Sequence, residues 1–346
     1  MDKDLRKAVQ TIVILLLIGG VIWLAGRRGK RSPAIENSGY RMMMGTYAQI
    51  SITEEDPAKA RGFFNAAFEK MEKVNTLMND RDPDSEISQL SETAWKEPVP
   101  VSRELFDVLN ASLNYSRLSD GAFDITVGPE VRLWRRMKET GQKPTSEQLT
   151  QARERVGYQK LILNEDDQSV RMEREGMYLD VGAIAKGYAV DLAVQVLIDA
   201  GVSAGMVDLG GNIRCFGVLP EYPDGWLIGV QDPMQDGKLL TRIVLRNRAV
   251  ATSGGYRRYA EIDGKKQSHI LNPSSGVSVG QLASVTIIAP TGMEADALST
   301  AVSVMGKEKG LALIESISDV EAILVTAENS DELAFSSGAE AYLRLN

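Results

Sequence analysis

The segment from Ala8 to Gly26 is almost wholly apolar, and its only clearly polar side chains are those of Gln10 and Thr11. A helix that crosses a bilayer needs about 20 predominantly apolar residues, and this segment approaches that length. We therefore predict a transmembrane signal anchor over residues 8–26, preceded by a short flank of residues 1–7. A folded domain has to begin after this segment.

The flanks of the apolar segment bear on its orientation and processing. Basic residues precede it between Lys3 and Lys7 and follow it between Arg27 and Arg31, so the positive-inside rule does not set its orientation. A small-x-small cleavage site is missing, because Trp23 stands two residues before Ala25. An uncleaved anchor is the preferred prediction, and a cleaved signal peptide is the alternative.

The rest of the chain divides into a polar linker, residues 27–39, and one folded domain, residues 40–346. Apolar residues alternate as in a strand over Tyr47–Thr53 and recur at helical spacing over Pro57–Met78. Similar patterns predict further helices at 102–118, 183–200 (amphipathic) and 293–305, and strands at 161–163, 170–172, 206–209, 226–230, 243–245, 259–262 and 283–289. Strands interleaved with a few helices, several of them in hairpin-like pairs, predict an α+β fold.

Charge and cysteine content exclude some classes of function. The chain has 39 basic and 47 acidic residues, a net charge of −8, which argues against a nucleic-acid-binding surface. Its one cysteine, Cys215, can form no intrachain disulfide and no zinc cluster. Because Cys215 lies in an apolar stretch, we predict a buried and unreactive thiol.

His269 is the only histidine of the chain, and it stands between a strand-like run and a Pro/Gly turn. An imidazole exchanges protons near neutral pH, so His269 is the one candidate for a histidine general base. A histidine that ends a strand and bonds a hydroxyl group is the equally weighted structural alternative.

Asp296, Ser299 and Thr300 share one face of the predicted helix at 293–305. They offer only oxygen ligands, which is the chemistry that Mg²⁺ prefers. Taken alone, the segment is more typical of a helix start that is capped by Thr291 and has acidic residues in its first turn.

Four other segments combine polar side chains with glycine. The run from Asp180 to Tyr188 passes from a strand into a helix, where free amides and Lys186 could face an anion or simply form a helix cap. Residues 251–259 could clamp a phosphate or form a hairpin with solvated arginines. Residues 121–129 could hold a planar ring or pack as an ordinary loop, and residues 208–212 could approach a ligand or form a turn.

Taken together and in this order, the segments resemble the ApbE family of flavin transferases, the FAD:protein FMN transferases, from about Met44 to Gly306. The matching motifs are Met44-Gly45-Thr46, DPDSEIS at 82–88, GAFDxTVGP at 121–129, DxGxIAKGY at 180–188, SHIxxPxxG at 268–276 and MEADALxT at 293–300.

The resemblance implies a T-fold-like α+β domain outside the cytoplasm. It also implies that FMN is transferred from FAD to a Ser or Thr hydroxyl of an acceptor protein, with release of AMP. By position, the residues implied to contact FAD are Met44, Ala122, Phe123, Asp124, Asp180, Lys186 and Leu271. Those implied to hold Mg²⁺ are Asp296, Ser299, Thr300 and the backbone carbonyl of Ala183. His269 is the candidate for deprotonating the acceptor, and Asp296 is the second residue predicted to be catalytic.

The chain departs from the family pattern at three positions. Arg81 stands where an aromatic residue often stacks on the cofactor, although the planar guanidinium group can also stack on a ring. Gly255 stands where Asp or Ser is frequent, and Asn272 where Asp often precedes the proline. Arg81 affects the predicted flavin site directly, so it is counted among the cofactor-contacting residues.

Two alternatives to a transferase remain open at this point. In an FAD pyrophosphatase, water would replace the acceptor hydroxyl and give FMN and AMP, and Arg81 is the feature that favours it. A membrane-tethered flavin-binding module would need neither His269 nor the pair Asp296 and Thr300, so their presence favours an enzyme. By resemblance, the expected acceptor is a subunit of a membrane redox complex, and the catalytic domain is expected on the outer face of the cytoplasmic membrane.

Overall fold

The computed structural model describes residues 35–219, 221–254, 259–262, 265–327 and 333–344. The predicted flank, the predicted anchor at 8–26 and most of the predicted linker lie outside these residues. Within the described ranges, no helix is both long enough and apolar enough to span a membrane.

The helices begin where the sequence supplies caps. Asp56 accepts hydrogen bonds from the backbone amides of Ala58 and Lys59 and so caps the first helix, with Pro57 in its first turn. The helices are α1 (Pro57–Met78), α2 (Glu86–Thr93), α3 (Arg103–Leu118), α4 (Gly128–Thr140), α5 (Ser146–Glu154), α6 (Ala185–Asp199), α7 (Gly292–Met305) and α8 (Lys307–Glu315). The helices predicted at 57–78, 102–118 and 293–305 are therefore confirmed.

The strands form one large sheet and several small ones. In chain order they are β1 (Ile35–Asn37), β2 (Arg41–Met43), β3 (Thr46–Thr53), β4 (Val99–Pro100), β5 (Leu161–Asn164), β6 (Ser169–Met172), β7 (Gly205–Leu209), β8 (Asn212–Phe216), β9 (Trp226–Gln231), β10 (Leu239–Leu245), β11 (Ala249–Gly254), β12 (Tyr259–Ile262), β13 (Lys265–Ser268), β14 (Leu271–Asn272), β15 (Val277–Ser278), β16 (Leu282–Ala289), β17 (Glu321–Thr326), β18 (Leu333–Phe335) and β19 (Leu343–Arg344).

The large sheet has the order β1-β3-β7-β8-β11-β16-β17-β18, with β2 also paired to β3. Every strand pair within it is antiparallel. The predicted strands at 161–163 and 170–172 pair as β5 and β6, with Leu163 opposite Val170. Antiparallel sheets combined with separate helices confirm the α+β class.

Two apolar cores flank the large sheet. The main core includes Ile50 and Ile52 of β3 together with Phe68 of α1, and residues of α6 and α7 extend it. A smaller core, which contains Cys215 and Trp226, lies between the large sheet and the small sheet of β9, β10 and β19. Burial raises the pKa of the Cys215 thiol, so the prediction of a buried and unreactive cysteine is confirmed.

The structure differs from three sequence-based predictions. Strand β1 pairs with β3, so the predicted linker at 27–39 extends too far into the domain. Helix α4 begins at the Gly128-Pro129 pair that suggested only a loop, since proline is well tolerated in the first turn of a helix. Helix α6 was predicted as amphipathic from residue 183, but it begins at Ala185 and is buried on most sides, because α1, α7 and strands β7 and β8 all contact it.

One end of the large sheet brings several predicted segments together. The β2–β3 turn at Met44 and Gly45 and the β7–β8 turn at Gly210 and Gly211 lie at this end, since Ala48 pairs with Leu209 and Leu209 with Asn212. Both Gly210 and Gly211 have positive φ, as a two-residue hairpin turn of this kind requires. The turn interpretation of residues 208–212 is thus confirmed.

Helices α6 and α7 cross so closely that a side chain at Gly187 has no room. A Cβ atom there would lie 2.1 Å from the carbonyl oxygen of Gly292. We expect Gly187→Ala to lower the free energy of unfolding by about 1–3 kcal/mol, because the helices must separate to admit the methyl group. Chemical denaturation measures this change.

Gly62 provides the matched control. It is exposed in α1, and a Cβ atom there would meet no atom within 4 Å. Gly62→Ala should raise the free energy of unfolding by up to about 1 kcal/mol, because alanine is the better helix former. A loss of stability at Gly62, or none at Gly187, would contradict this account of the helix crossing.

Candidate active site

A buried ion pair joins α6 to α7. The Lys186 ammonium lies 3.1 Å from each carboxylate oxygen of Asp296, and the backbone amide of Gly187 donates to Asp296 Oδ2 at 3.0 Å. Asp296 is only 4% exposed. The structure therefore brings together two segments that are 110 residues apart in the chain.

Asn212, the first residue of β8, completes this cluster. With its amide oriented to satisfy both neighbours, it donates to Asp296 Oδ1 and accepts from Lys186, each at 3.1 Å. Its sequence context left two interpretations open for residues 208–212, a close approach to a ligand or a turn, and did not single out Asn212 as a site residue. The signal is absent from the local sequence because the contact depends on the β7–β8 turn meeting α7.

Hydroxyl groups surround the first turns of α7. Ser299 is fully buried, donates to the carbonyl oxygen of Asp296 at 2.8 Å, and lies 2.7 Å from the hydroxyl of Ser253 on β11. Thr300 is half-buried. The Thr291 hydroxyl accepts from the amide of Glu294, so the capping interpretation of this segment is also correct.

The residues predicted to hold Mg²⁺ have the donor chemistry that this ion prefers, and their joint coordination of a metal stays a prediction. Asp296, Ser299, Thr300 and the carbonyl of Ala183 are all hard oxygen donors, and Mg²⁺ is often held by one or two carboxylates with water and substrate phosphates. Within the described ranges, no three His, Cys, Asp or Glu side chains cluster as metal ligands. A metal here would therefore rely on one carboxylate, whose charge Lys186 already neutralises.

Asp180 lies just before α6 in a second cluster of charges. Its Oδ1 accepts from the amide of Gly182 at 2.9 Å, and its Oδ2 accepts from Arg135 at 2.8 Å. Burial raises the pKa of Asp180 and repulsion by Asp80 adds to this, whereas Arg135 opposes both. Asp80 directly precedes Arg81, so two predicted flavin-contacting residues lie in one electrostatic neighbourhood.

The loop before α4 directs its polar side chain inward. Asp124 accepts from the amide and hydroxyl of Thr126, at 2.8 and 2.6 Å, and from the amide of Tyr158 at 2.8 Å. Phe123 is 2% exposed and meets the ring of Tyr115 edge-on. Both side chains therefore pack as in an ordinary loop, while Ala122 is half-buried. Their contact with FAD stays a prediction.

Met44 occupies the turn at the site end of the large sheet. Its φ of 48° is left-handed, and its half-buried side chain packs on the main core. His269 lies between β13 and β14 and is half-buried. The next strand holds Leu271, which is 7% exposed.

The loop that follows Leu271 rests on α4 and α5. A cavity of about 180 Å³ lies here, lined by Leu271, Val277, Trp134 and Glu130 among others. Neither carboxylate oxygen of Glu130 has a hydrogen-bond partner among the described residues, although Arg153 approaches to 3.7 Å. Burial raises the pKa of Glu130 to about 7, and the attraction of Arg153 only partly offsets it.

The chain matches the ApbE family over residues 44–324. An FAD:protein FMN transferase of Klebsiella pneumoniae is 32% identical over 287 residues, which cover 82% of this chain and 87% of that protein. One from Escherichia coli K12 is 32% identical over 77% of each chain. The fold resembles the flavin transferase ApbE from Vibrio cholerae, with a TM-score of 0.79, 29% identity, and coverage of 90% of this chain and 100% of that one.

The chain is a mixed α/β domain with a buried lysine–aspartate pair bordered by hydroxyl groups, and the comparisons identify its family. The chain belongs to the ApbE family. The predicted family and its mixed α/β fold are confirmed. The T-fold-like description, the N-terminal helix and the roles of individual residues stay predictions.

The raised pKa of Glu130 gives a pH dependence with a definite sign. Folding raises the pKa of Glu130 from its ordinary value of 4.5 to about 7, so the folded protein favours the protonated form. The free energy of unfolding should therefore fall as pH rises from about 4.5 through 7, by up to about 3 kcal/mol.

Glu130→Gln should remove this contribution and leave the variant more stable than the wild type above about pH 8, by up to about 3 kcal/mol. Denaturation curves from pH 4.5 to 8.5 measure the difference. Glu154→Gln on α5, an exposed position, should follow the wild-type profile. Parallel profiles for Glu130→Gln and the wild type would refute the assignment.

Proposed function

We propose that this protein is a magnesium-dependent FAD:protein FMN transferase, which attaches FMN through a phosphoester to a Ser or Thr hydroxyl of an acceptor protein and releases AMP. The observation that carries the proposal is the buried cluster of Lys186, Asp296 and Asn212, formed by segments that match the family. Relatives that the chain covers over most of their length bear this activity in their names.

The reaction exchanges the phosphoanhydride bond of FAD for a phosphoester bond to the acceptor. The acceptor hydroxyl oxygen bonds to the phosphorus on the riboflavin side of FAD, and the bond from that phosphorus to the bridging oxygen breaks. The bridging oxygen leaves with its electron pair as part of AMP, and the hydroxyl proton passes to a base. The protein must therefore neutralise phosphate charge and accept one proton.

Lys186 and the start of α6 supply positive charge to the phosphates. Lys186 is 21% exposed at its side chain, so its ammonium can reach a ligand as well as Asp296. Mg²⁺ held by Asp296, Ser299, Thr300 and the carbonyl of Ala183 would supply further charge neutralisation. The amides at the start of α6 favour an anion through the helix dipole.

His269 is the proposed base. It is the only histidine of the chain, and its half-buried position leaves part of the imidazole accessible. Imidazole can take the hydroxyl proton near neutral pH. His269 therefore has the proton-accepting role, and the oxygen-rich cluster around Asp296 has the phosphate-neutralising role.

The flavin nucleotide is proposed to contact residues from several loops: Met44, Arg81, Ala122, Phe123, Asp124, Asp180, Lys186 and Leu271. Arg81 takes the place of an aromatic ring, and its planar guanidinium can stack on the flavin. Arg81 differs in shape and charge from that ring, and this difference is the feature that favours attack by water in place of the acceptor hydroxyl. Hydrolysis of FAD is therefore the alternative against which transfer is tested.

The cellular setting follows from the amino-terminal sequence. Residues 8–26 are proposed to anchor the chain in the cytoplasmic membrane, with residues 40–346 on the outer face. An acceptor beside such an enzyme would itself be membrane-associated, and a subunit of a membrane redox complex is proposed. The acceptor needs only an accessible Ser or Thr hydroxyl.

One assay separates transfer from its alternatives. The protein is incubated with FAD, Mg²⁺ and a candidate acceptor domain, and both the acceptor mass and AMP release are followed. An acceptor heavier by one FMN, with an equal amount of AMP, supports transfer. AMP without modified acceptor identifies a pyrophosphatase, and unchanged FAD leaves only binding.

His269→Ala should lower the transfer rate by about 10²- to 10⁴-fold, because the hydroxyl proton loses its acceptor. The rate of AMP release at saturating FAD measures this loss. Ser274→Ala is the matched control from the same loop, since its exposed hydroxyl donates to the side-chain oxygen of Asn272. Full activity of His269→Ala would remove His269 from the mechanism.

Asp296→Ala should also abolish turnover, because it removes the only carboxylate proposed for the metal. Asp296→Asn keeps the shape of the side chain and separates loss of charge from loss of packing. Both variants should show little dependence on added Mg²⁺, measured as the rate of AMP release across a titration. A normal rate and a normal Mg²⁺ response in either variant would exclude Asp296 as a ligand.

A further inference from the structure

Arg135 on α4 joins two aspartates from distant parts of the chain. Its Nη2 donates to Asp180 Oδ2 at 2.8 Å and lies 3.4 Å from Asp80 Oδ1. Its Nη1 donates to Asp80 Oδ2. The side chains of Asp80 and Asp180 are each 14% exposed, and that of Arg135 is 23% exposed. A half-buried guanidinium thus bridges two shielded carboxylates and contacts that of Asp80 through both terminal nitrogens, the bidentate geometry that favours arginine.

The bridge lies where three segments of the proposed flavin site meet. Tyr178 donates its hydroxyl to the carbonyl of Asp80 at 2.9 Å, which fixes the backbone just before Arg81. The amide of Asp180 donates to the carbonyl of Ile125 at 2.8 Å, which fixes the loop that carries Asp124. Arg135 adds the side-chain link between the Asp80 and Asp180 segments.

The electrostatics explain why this link matters. Desolvation and the charge of Asp80 both raise the pKa of Asp180, and the guanidinium of Arg135 acts in the opposite direction. Without Arg135, two carboxylates would face each other in a partly buried site. Either Asp180 would take up a proton more readily or the two segments would move apart, and both outcomes change the surface offered to FAD.

We propose that Arg135 is a positioning residue of the flavin site: it joins Asp180 to the segment that carries Arg81, and so sets the affinity for FAD. The inference rests on the proposed function, because it takes Asp180 and Arg81 as flavin contacts. Among the described residues, Arg135 bonds to Asp80 and Asp180 and not to Lys186 or Asp296, so its loss acts on binding and leaves the chemical step nearly unchanged.

The experiment measures FAD affinity directly in the full-length protein, by quenching of flavin fluorescence, together with the transfer rate at saturating FAD. Arg135→Met should raise the Kd for FAD by about 10- to 100-fold, because a hydrogen-bonded charge is lost. The rate at saturating FAD should change by less than about threefold. The acid limb of FAD binding should move to higher pH, because Asp180 becomes easier to protonate.

Two further variants separate positioning from simple loss of structure. Arg136→Met changes an exposed neighbour on the same helix and should leave the Kd unchanged. Asp80→Asn in the Arg135→Met background removes the repulsion, so it should recover at least part of the affinity and return the acid limb toward wild type. Thermal unfolding of each variant confirms that it is folded at the assay temperature.

Each result decides between the proposals. An unchanged Kd in folded Arg135→Met overturns the inference while leaving the transferase intact. A weakened Kd that Asp80→Asn does not improve, with no shift of the acid limb, also overturns it. If the wild type binds FAD but modifies no acceptor, the proposed function fails while the affinity series still tests Arg135. If the wild type binds no FAD, both proposals fail.

Discussion

The contact between α6 and α7 is the arrangement on which the rest of the site depends. Gly187 lies against Gly292, and this lack of side chains lets Asp296 reach the amide of Gly187 and the ammonium of Lys186. Asp191 on α6 accepts from the amides of Gly292 and Met293, at 2.7 and 2.9 Å, and so caps α7 from outside. The same crossing therefore fixes the start of α7 and the position of its carboxylate.

Three buried carboxylates around this crossing and the proposed flavin loops have a cation nearby, whereas Asp124 is held by the amides of Thr126 and Tyr158. Asp296 has Lys186, Asp191 has Arg214 at 2.8 Å, and Asp180 has Arg135. Removing one member of such a pair leaves an uncompensated buried charge, which usually costs more than the pair contributes in net stability. These pairs are therefore better understood as devices that fix geometry than as sources of stability. Glu130 is held less closely, since Arg153 stands 3.7 Å away and burial raises the pKa of Glu130 to about 7.

The local amino-acid sequence predicted those helices and strands whose capping residues and apolar periodicity lie within the element itself. Helix α1 has its cap at Asp56 and a regular apolar stripe, and its bounds follow from the sequence. Helix α4 was missed because most of its side chains are polar, and its buried residues lie only at its start. Family motifs pointed to Asp180, Lys186 and Asp296, whereas Asn212, Glu130 and Arg135 act through contacts between distant segments. Arg135 lies 55 residues from Asp80 and 45 from Asp180, a separation at which no local period carries information.

Lys186 connects the two charge requirements of the proposed reaction. In this structure its ammonium is shared between Asp296 and the carbonyl of Gly182, and the oxygen of Asn212 joins them when that amide is oriented to satisfy both neighbours. A lysine held by a buried carboxylate contributes little net charge to an incoming phosphate, because the pair is close to neutral. Lys186 can therefore serve the phosphates of FAD fully only when another cation neutralises Asp296. A site with one carboxylate and several hydroxyls fits this requirement. Once the nucleotide is bound, the second cation would pair with Asp296 and Lys186 would pair with the phosphates.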